Sequence, residues 1–240
     1  MESTPLISIT ATRVSPADEE RYRKWIDEVY YPLFLKYNLI SGTDVYTIVK
    51  ENANYPARIS IAHYSGFSEW ENNVNSTVWK DITKDSQTTF QREVVWMGVF
   101  QLMRSFHHDS PTSEDKPTTF VEDAALMHMA GFRLSIEKEE FNAWFKDWGA
   151  KIYLPILMKL PGLKAANFYS FTGRSSQPEL KDPGYPDVLF LWYFDTLNSY
   201  QNFAESPELA AFMKVLKSDF PGGIALRWNV QYELLKSFRK

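Results

Sequence analysis

Two kinds of hydrophobic pattern follow each other along the chain, and their order is the same in its two halves. Short apolar runs rich in β-branched and aromatic residues predict strands. Apolar residues spaced three or four positions apart, as at Tyr22, Ile26, Val29 and Leu33, predict helices. Each half therefore has the predicted order strand, helix, strand, strand, helix, strand.

The predicted strands and helices have the following bounds. In the first half the strands are Leu6–Thr12, Asp44–Val49, Arg58–Tyr64 and Val94–Met103, and the helices begin after Ser15-Pro16 and cover Phe67–Lys84 with a break near Asn75-Ser76. In the second half the strands are Ala125–Phe132, Ala166–Thr172, Val188–Phe194 and Ala225–Leu235, and the helices are Lys138–Lys159 and Ser199–Lys217. Ser15 is a suitable N-cap and Pro16 suits a first helical turn.

Sequence motifs recur in the same order. Trp25-x4-Tyr30-x-Pro32-x3-Lys36 is repeated without a gap as Trp148-x4-Tyr153-x-Pro155-x3-Lys159. The offset between equivalent positions grows along the chain only at helix starts and loops, where insertions cost little. The chain is therefore predicted to be a duplication, with a first repeat at residues 1–106, a linker at 107–123 and a second repeat at 124–240.

This order of strands and helices along the chain is the βαββαβ, or ferredoxin-like, arrangement. Its four-stranded antiparallel sheet carries both helices on one face, so the other face must be polar or covered. Here both alternating sets are apolar, since Ile59 and Ile61 alternate with Ala62 and Tyr64. Two such faces most simply cover each other, and eight strands can close into a barrel. The predicted fold class is α+β, with two tandem ferredoxin-like repeats whose sheets face each other in a single-chain α/β barrel.

Four short motifs carry a resemblance to a known superfamily. They are Tyr30-Tyr31-Pro32-Leu33, Tyr153-Leu154-Pro155-Ile156, Leu160-Pro161-Gly162-Leu163 and Ser206-Pro207-Glu208-Leu209. With the duplicated pattern, they resemble the dimeric α/β-barrel superfamily in a fused form, and most of all its EthD-like and stress-responsive groups. Those groups have His-x-Pro-Leu where this chain has Tyr30 and Tyr153. If that histidine does acid–base work in relatives, this chain has lost it.

Composition and charge exclude several classes of function. The net charge of −4 comes without a Lys/Arg stripe, which disfavours nucleic-acid binding. No apolar stretch approaches the roughly 18 residues of a membrane span, and the N-terminus does not resemble a signal peptide. The absence of cysteine removes disulfides and thiolate chemistry. We expect a cytoplasmic protein without nucleic-acid or membrane partners; fusion of the repeats leaves a homodimer open.

Motifs for phosphate, serine-hydrolase and zinc-protease chemistry are missing, and the four histidines have no metal-ligand spacing. His128 lies in an otherwise apolar strand, where an imidazole suits either proton transfer or a hydrogen-bonded core position. The superfamily also includes haem proteins with a histidine in the second repeat, but the surroundings of His128 match no haem-ligating segment. We predict that no metal or organic cofactor is needed.

Polar residues alternate along the last predicted strand. If this row lines the barrel, Arg227 and Asn229 could stabilise an anion formed when His128 takes a proton. Trp192 and Trp228 are candidate walls for a small apolar or aromatic ligand. Tyr30, Tyr153 and Tyr169 are further candidates for ligand contact, although their recurrence equally favours packing of helix against sheet.

The resemblance implies a small-molecule-binding barrel, since related barrels include cofactor-independent monooxygenases and lactone isomerases. The substrate would be aromatic or polyketide-like. The alternative is a non-catalytic barrel that binds a ligand or another protein, which the lost histidine and the few ionisable strand residues favour.

Overall fold

The computed structural model describes residues 4–50, 55–107, 119–157, 159–175, 185–219 and 224–240. Its residues form two compact units. The first contains Met1–Leu102, Thr172–Pro183 and Glu233–Lys240, and the second contains Met103–Phe171 and Gly184–Tyr232. Most of the predicted linker, residues 108–118, lies outside the described residues.

The fold is mixed α+β, with one large antiparallel sheet of eight strands. The strands are β1 (Leu6–Val14), β2 (Gly42–Ile48), β3 (Arg58–Tyr64), β4 (Arg92–His107), β5 (Leu126–Leu134), β6 (Ala165–Phe171), β7 (Val188–Phe194) and β8 (Ile224–Arg239). The helices are α1 (Glu19–Trp25), α2 (Tyr31–Lys36), α3 (Phe67–Asn75), α4 (Thr77–Thr89), α5 (Lys138–Trp148), α6 (Leu154–Leu157), α7 (Leu197–Ala204) and α8 (Pro207–Asp219). Every predicted strand is present, and β4 and β8 are longer than predicted.

Strand pairing follows the same plan in each unit. In the first unit β1 lies between β3 and β4, and β2 pairs with the other edge of β3. In the second unit β7 lies between β5 and β6. All of these pairings are antiparallel. Ser8 faces Ala62 across one pair and His128 faces Trp192 across the other, so the third residue of each first strand lies beside the third strand of its unit.

A π-helical turn interrupts the first helical region of each unit. It covers Ile26–Tyr30 in one and Gly149–Tyr153 in the other. In the first unit the Tyr31 N–H donates to the Ile26 carbonyl, five residues back. A proline follows each turn closely, and a proline ring removes an N–H donor and crowds the carbonyl four residues before it. The wider turn relieves that crowding, which accounts for its place beside Pro32 and beside Pro155.

In each unit, apolar side chains on one face of the strands pack against the helices. In the second unit this helix-covered face carries Leu126, Ala130 and Phe132 from β5, which join one core with Phe141 and Phe212. The intervening positions are buried too, since Met127 and Met129 are at most 1% exposed. Both faces of these strands therefore carry buried apolar side chains, as the sequence predicted. Among the described residues, no helix is both long and apolar enough to span a bilayer.

We predict that only glycine is tolerated at position 162, because of its backbone conformation and the closeness of Ser199. Its φ is +74°, and a Cβ there would lie 2.5 Å from the carbonyl oxygen of Ser199. We expect Gly162→Ala to lower the free energy of unfolding by about 2 kcal/mol or more, since a left-handed conformation and a backbone clash add together.

Gly173 provides the matched control. It has the same φ of +74°, but no atom of the described residues lies within 4 Å of the position of its Cβ. Gly173→Ala should cost only the conformational part, about 1 kcal/mol. Urea unfolding of both variants measures the difference, and equal losses would show that the contact with Ser199 is not a constraint.

Candidate functional site

His128 lies on the helix-covered face of β5. Side chains alternate between the faces of a strand, so His128 points the same way as Leu126, Ala130 and Phe132, which pack beneath the helices. Only 7% of the His128 surface is exposed. The strand therefore carries one ionisable side chain into an apolar layer.

The described part of the second unit has a cavity of about 480 Å³ beside this histidine. The cavity lies between the helix-covered face and helices α7 and α8. Its lining residues are His128, Ala130, Phe132, Trp192, Tyr200, Phe203, Ala204, Leu209, Met213, Leu216, Lys217, Leu226 and Asn229. A ligand in the barrel interior, as predicted from the sequence, would lie on the other face of these strands; this cavity lies under α7 and α8.

The two ends of the cavity differ in exposure. Trp192 and Leu216 are at most 5% exposed and close its inner end. Met213 and Leu226 are large apolar residues that are 43% and 53% exposed. A cavity whose apolar lining runs from buried to exposed residues is open to solvent on one side and can admit an apolar molecule.

Two aromatic rings and one amide surround the imidazole of His128. Its ring stacks on those of Trp192 and Tyr200, with centroids 5.3 and 5.5 Å away. Nε2 of Gln231 lies 3.4 Å from Nδ1 of His128 and donates to the Tyr200 hydroxyl at 2.7 Å. Gln231 thus joins the two rings from β8.

Burial lowers the pKa of His128 to about 4. No other cause contributes to this shift, so the imidazole is neutral at neutral pH. When an amide N–H of Gln231 donates to Nδ1, the ring proton must be on Nε2. Burial also raises the pKa of the Tyr200 hydroxyl, with the Gln231 hydrogen bond acting the other way. Both groups are therefore uncharged hydrogen-bonding groups at neutral pH.

Three residues that the sequence suggested meet at this cavity, namely His128, Trp192 and Asn229. Asn229 is exposed, as is Lys217 of α8, which supplies a cation to the lining. Arg227 is exposed and is not among the lining residues. Among the lining residues, the cation is therefore Lys217 of a helix and not Arg227 of the strand.

The other suggested residues lie elsewhere. Trp228 is on the opposite face, because its Cβ would be 3.2 Å from a Cβ on Gly131. Tyr169 pairs with Leu189 and so lies on that same face, fully buried. Tyr153 is buried behind Trp192 and accepts a hydrogen bond from its indole Nε1 at 3.2 Å.

Tyr30 belongs to the first unit, where it lines a separate cavity. Its ring packs edge-to-face against Phe34. Among the described residues no group of three or more His, Asp or Glu side chains is placed to hold a metal ion.

Tyr200, Gln231 and Lys217 were missed from the sequence. Gln231 had a usable signal, since it stands two positions after Asn229 and shares its face of the strand. Tyr200 and Lys217 had none, because each falls on an amphipathic helix whose polar positions normally face solvent.

Solved structures with the same fold are numerous, and three illustrate the likeness. All of the chain aligns with 96% of a proposed monooxygenase from Fusobacterium nucleatum, with a TM-score of 0.63 and 11% identity. An anthrone oxidase-like protein aligns over 98% of this chain and 92% of its own, with a TM-score of 0.62 and 11% identity. A chlorite dismutase mutant from Candidatus Nitrospira defluvii aligns over 98% and 93%, with a TM-score of 0.54 and 10% identity.

No protein-family model and no curated protein matches the chain. At identities near those above, the structural likeness shows the fold alone. The chain has a mixed α+β fold consistent with the ferredoxin-like class, shared with proteins named as monooxygenase-like, anthrone oxidase-like and chlorite dismutase.

Proposed function

We propose that the cavity of the second unit binds a small, mostly apolar, aromatic molecule. The observation that carries this proposal is an open apolar cavity of about 480 Å³ with one buried imidazole at its inner end. Ligand sites typically combine an apolar wall with a few polar groups that set orientation. Trp192 and Phe203 offer flat walls, and His128 offers a hydrogen bond to a hydroxyl or carbonyl of the ligand.

Lys217 and Asn229 add polarity near the exposed side of the cavity. A ligand with one polar group at each end would satisfy His128 inside and these two side chains outside. Such a molecule matches the aromatic or polyketide-like class, in which hydroxyl and carbonyl groups lie at the rim of fused rings.

We further propose a monooxygenase-like reaction on this ligand. An acidic CH2 group that loses a proton gives a carbanion, which can reduce dioxygen; overall CH2 and O2 become C=O and H2O. His128 would accept the first proton at Nε2 and return it to the departing hydroxide. That role requires the amide of Gln231 to turn so that Oε1 accepts from Nδ1–H. The scheme requires no metal or organic cofactor, and the monooxygenase-like neighbours support it.

The low pKa of His128 favours the second candidate function, binding without turnover. A general base works best with a pKa near the operating pH, and a pKa of about 4 makes the imidazole a weak proton acceptor. As a neutral Nε2–H donor, the same ring would simply orient a carbonyl oxygen. The two candidate functions share one site and differ in whether His128 exchanges a proton.

The duplication predicted from the sequence is part of the proposal. The same order of elements, the two π turns and the two serines that begin α4 and α8 support two diverged copies of one ferredoxin-like unit. The barrel that such a duplication implies stays a prediction.

Ligand binding is tested by filling the cavity from α7. Ala204 and Ala210 of α8 are both exposed, but Ala204 lines the cavity and Ala210 does not. We expect Ala204→Trp to weaken binding of anthrone about tenfold or more, since a bulky ring removes ligand space, and Ala210→Trp to leave it unchanged. Anaerobic fluorescence titration measures the dissociation constants. Equal affinities of the two variants would place the ligand elsewhere.

The neutral state of His128 predicts sensitivity to acid. Its pKa is about 4 when folded and near 6.5 when unfolded, so the unfolded chain binds the extra proton between these values. The neutral His128 side chain makes its full contribution to the free energy of unfolding above pH 6.5, and this contribution is lost as the pH falls toward 4. Between pH 7 and pH 4.5 we expect this effect of His128 to lower the free energy of unfolding by about 2 kcal/mol.

His128→Gln lacks this proton, so the loss of unfolding free energy over the same range should be smaller by that amount. Urea unfolding of both proteins at the two pH values provides the comparison, and His63, which also titrates, is common to both. A loss of the same size in wild type and variant would contradict a neutral, buried imidazole.

Turnover is tested by oxygen uptake with anthrone. If His128 accepts the proton, His128→Gln should reduce the rate about a hundredfold or more while anaerobic binding persists. Gln231→Glu should shift the acidic limb of the pH–rate profile upward, because a carboxylate beside Nδ1 stabilises the imidazolium. Gln201→Glu adds the same charge to α7 outside the cavity lining and should not shift it. Tight binding by wild type without oxygen uptake would instead support the binding function.

A further inference from the structure

The first unit has a cavity in the position where the second unit has its candidate site. It lies beneath the helices, on the helix-covered face of β1 and β3, and has a volume of about 70 Å³. Ser8 occupies the position in the repeat that His128 occupies in the second unit, and Asn73 of α3 occupies that of Phe203. The two cavities therefore share a place in the repeat but differ in chemistry.

Hydroxyl groups line the cavity of the first unit. Ser8, Thr10 and Thr12 come from one face of β1, Ser60 from β3 and Thr83 from α4. The equivalent positions in the second unit are apolar apart from His128, with Ala130 and Phe132 in place of Thr10 and Thr12. Thr12 is hydrogen-bonded to Tyr22 and Ser60 to Tyr31. Hydroxyls beneath helices need such partners, and an anion would supply a further acceptor to this row.

Asn73 presents an unsatisfied polar atom to this cavity. Its side chain is only 3% exposed, and its Nδ2 donates to the Tyr64 hydroxyl at 2.9 Å. Its Oδ1 is buried and has no hydrogen-bond partner among the described residues. If the amide is turned, Tyr64 donates to Oδ1 and an N–H is left instead. In either orientation one end of a buried amide is available to a ligand.

Arg92 is the only charged residue among those that line the cavity in the described part of the chain. Its guanidinium donates to the Ser86 hydroxyl, and its Nε is buried without a partner. No aspartate or glutamate lines the cavity to neutralise it. A half-buried guanidinium whose Nε is buried favours a planar anion, to which its N–H groups can bond in parallel.

We propose that this cavity binds a small monovalent oxyanion of the carboxylate type. The volume of about 70 Å³ corresponds to about two water molecules, which limits the ligand to a few heavy atoms. The anion pairs with Arg92, accepts from the hydroxyls of β1, and selects the orientation of Asn73 in which Nδ2 faces it. This site goes beyond the proposed function and does not depend on it.

The test is thermal unfolding and calorimetry of the full chain with sodium acetate, formate or nitrate, against sodium chloride at the same ionic strength. Wild type should show saturable binding of at least one planar anion. Arg92→Gln should weaken it about tenfold or more, since a charged hydrogen-bond partner is lost. Arg13→Gln removes an exposed arginine that does not line this cavity and should leave the affinity unchanged.

A second pair of variants keeps the test decisive if Arg92→Gln does not fold. Asn73→Asp places a carboxylate in the cavity and should abolish anion binding by occupying the site. Asn72→Asp adds the same charge to the exposed side of α3 and should not. Binding that is absent in wild type, or unchanged in both cavity variants, would overturn the proposal and leave a cavity that holds only water.

Discussion

The central strands of this protein are buried on both faces, and the other features follow from that constraint. All seven residues of Val188–Phe194 are buried, so no face of β7 is available for unsatisfied polar groups. A polar side chain on such strands must find a partner within the protein. His63 is bonded to Asp44 at 2.9 Å, and Asp44 in turn accepts from Ser237 at 2.6 Å. Among the described residues, His128 has a long hydrogen bond of 3.4 Å to Gln231, and this weak bond to a buried imidazole marks its surroundings as a site.

The sequence predicted the order of elements because the periodicity of strands and helices differs strongly. It also predicted the break near Ser76, where the serine side chain accepts from the Trp79 N–H. It missed the same break at Ser206, which accepts from the Leu209 N–H, although Ser206-Pro207 carried the same capping signal. The π turns could not be predicted from the spacing of apolar residues. One extra residue in a turn does not disturb the pattern when the apolar face of the helix is wide.

The candidate site was predicted only in part, for a physical reason. Alternation along β5 separates two faces but does not say which face the helices cover when both are apolar. The sequence therefore left open which side of the sheet His128 occupies, and its pairing with Trp192 is known only from the structure. Arg227 shares a face with Asn229 and Gln231, but the cavity lining reaches only part of that row. Which part it reaches depends on the position of α8, and the strand sequence holds no information about that.

In each unit, the last two helices that line the cavity are separated by a break. At Ser76 and Ser206 the chain stops one helix and begins another, so the helical layer cannot cover the strands continuously. What fills the gap is decided by side chains on the first strand and on the two helices. Ser8, Asn73 and Thr83 make one gap polar, and His128, Phe203 and Met213 make the other mostly apolar. Divergence at a few such positions changes the kind of ligand that each gap favours while the surrounding packing of helix against sheet is kept.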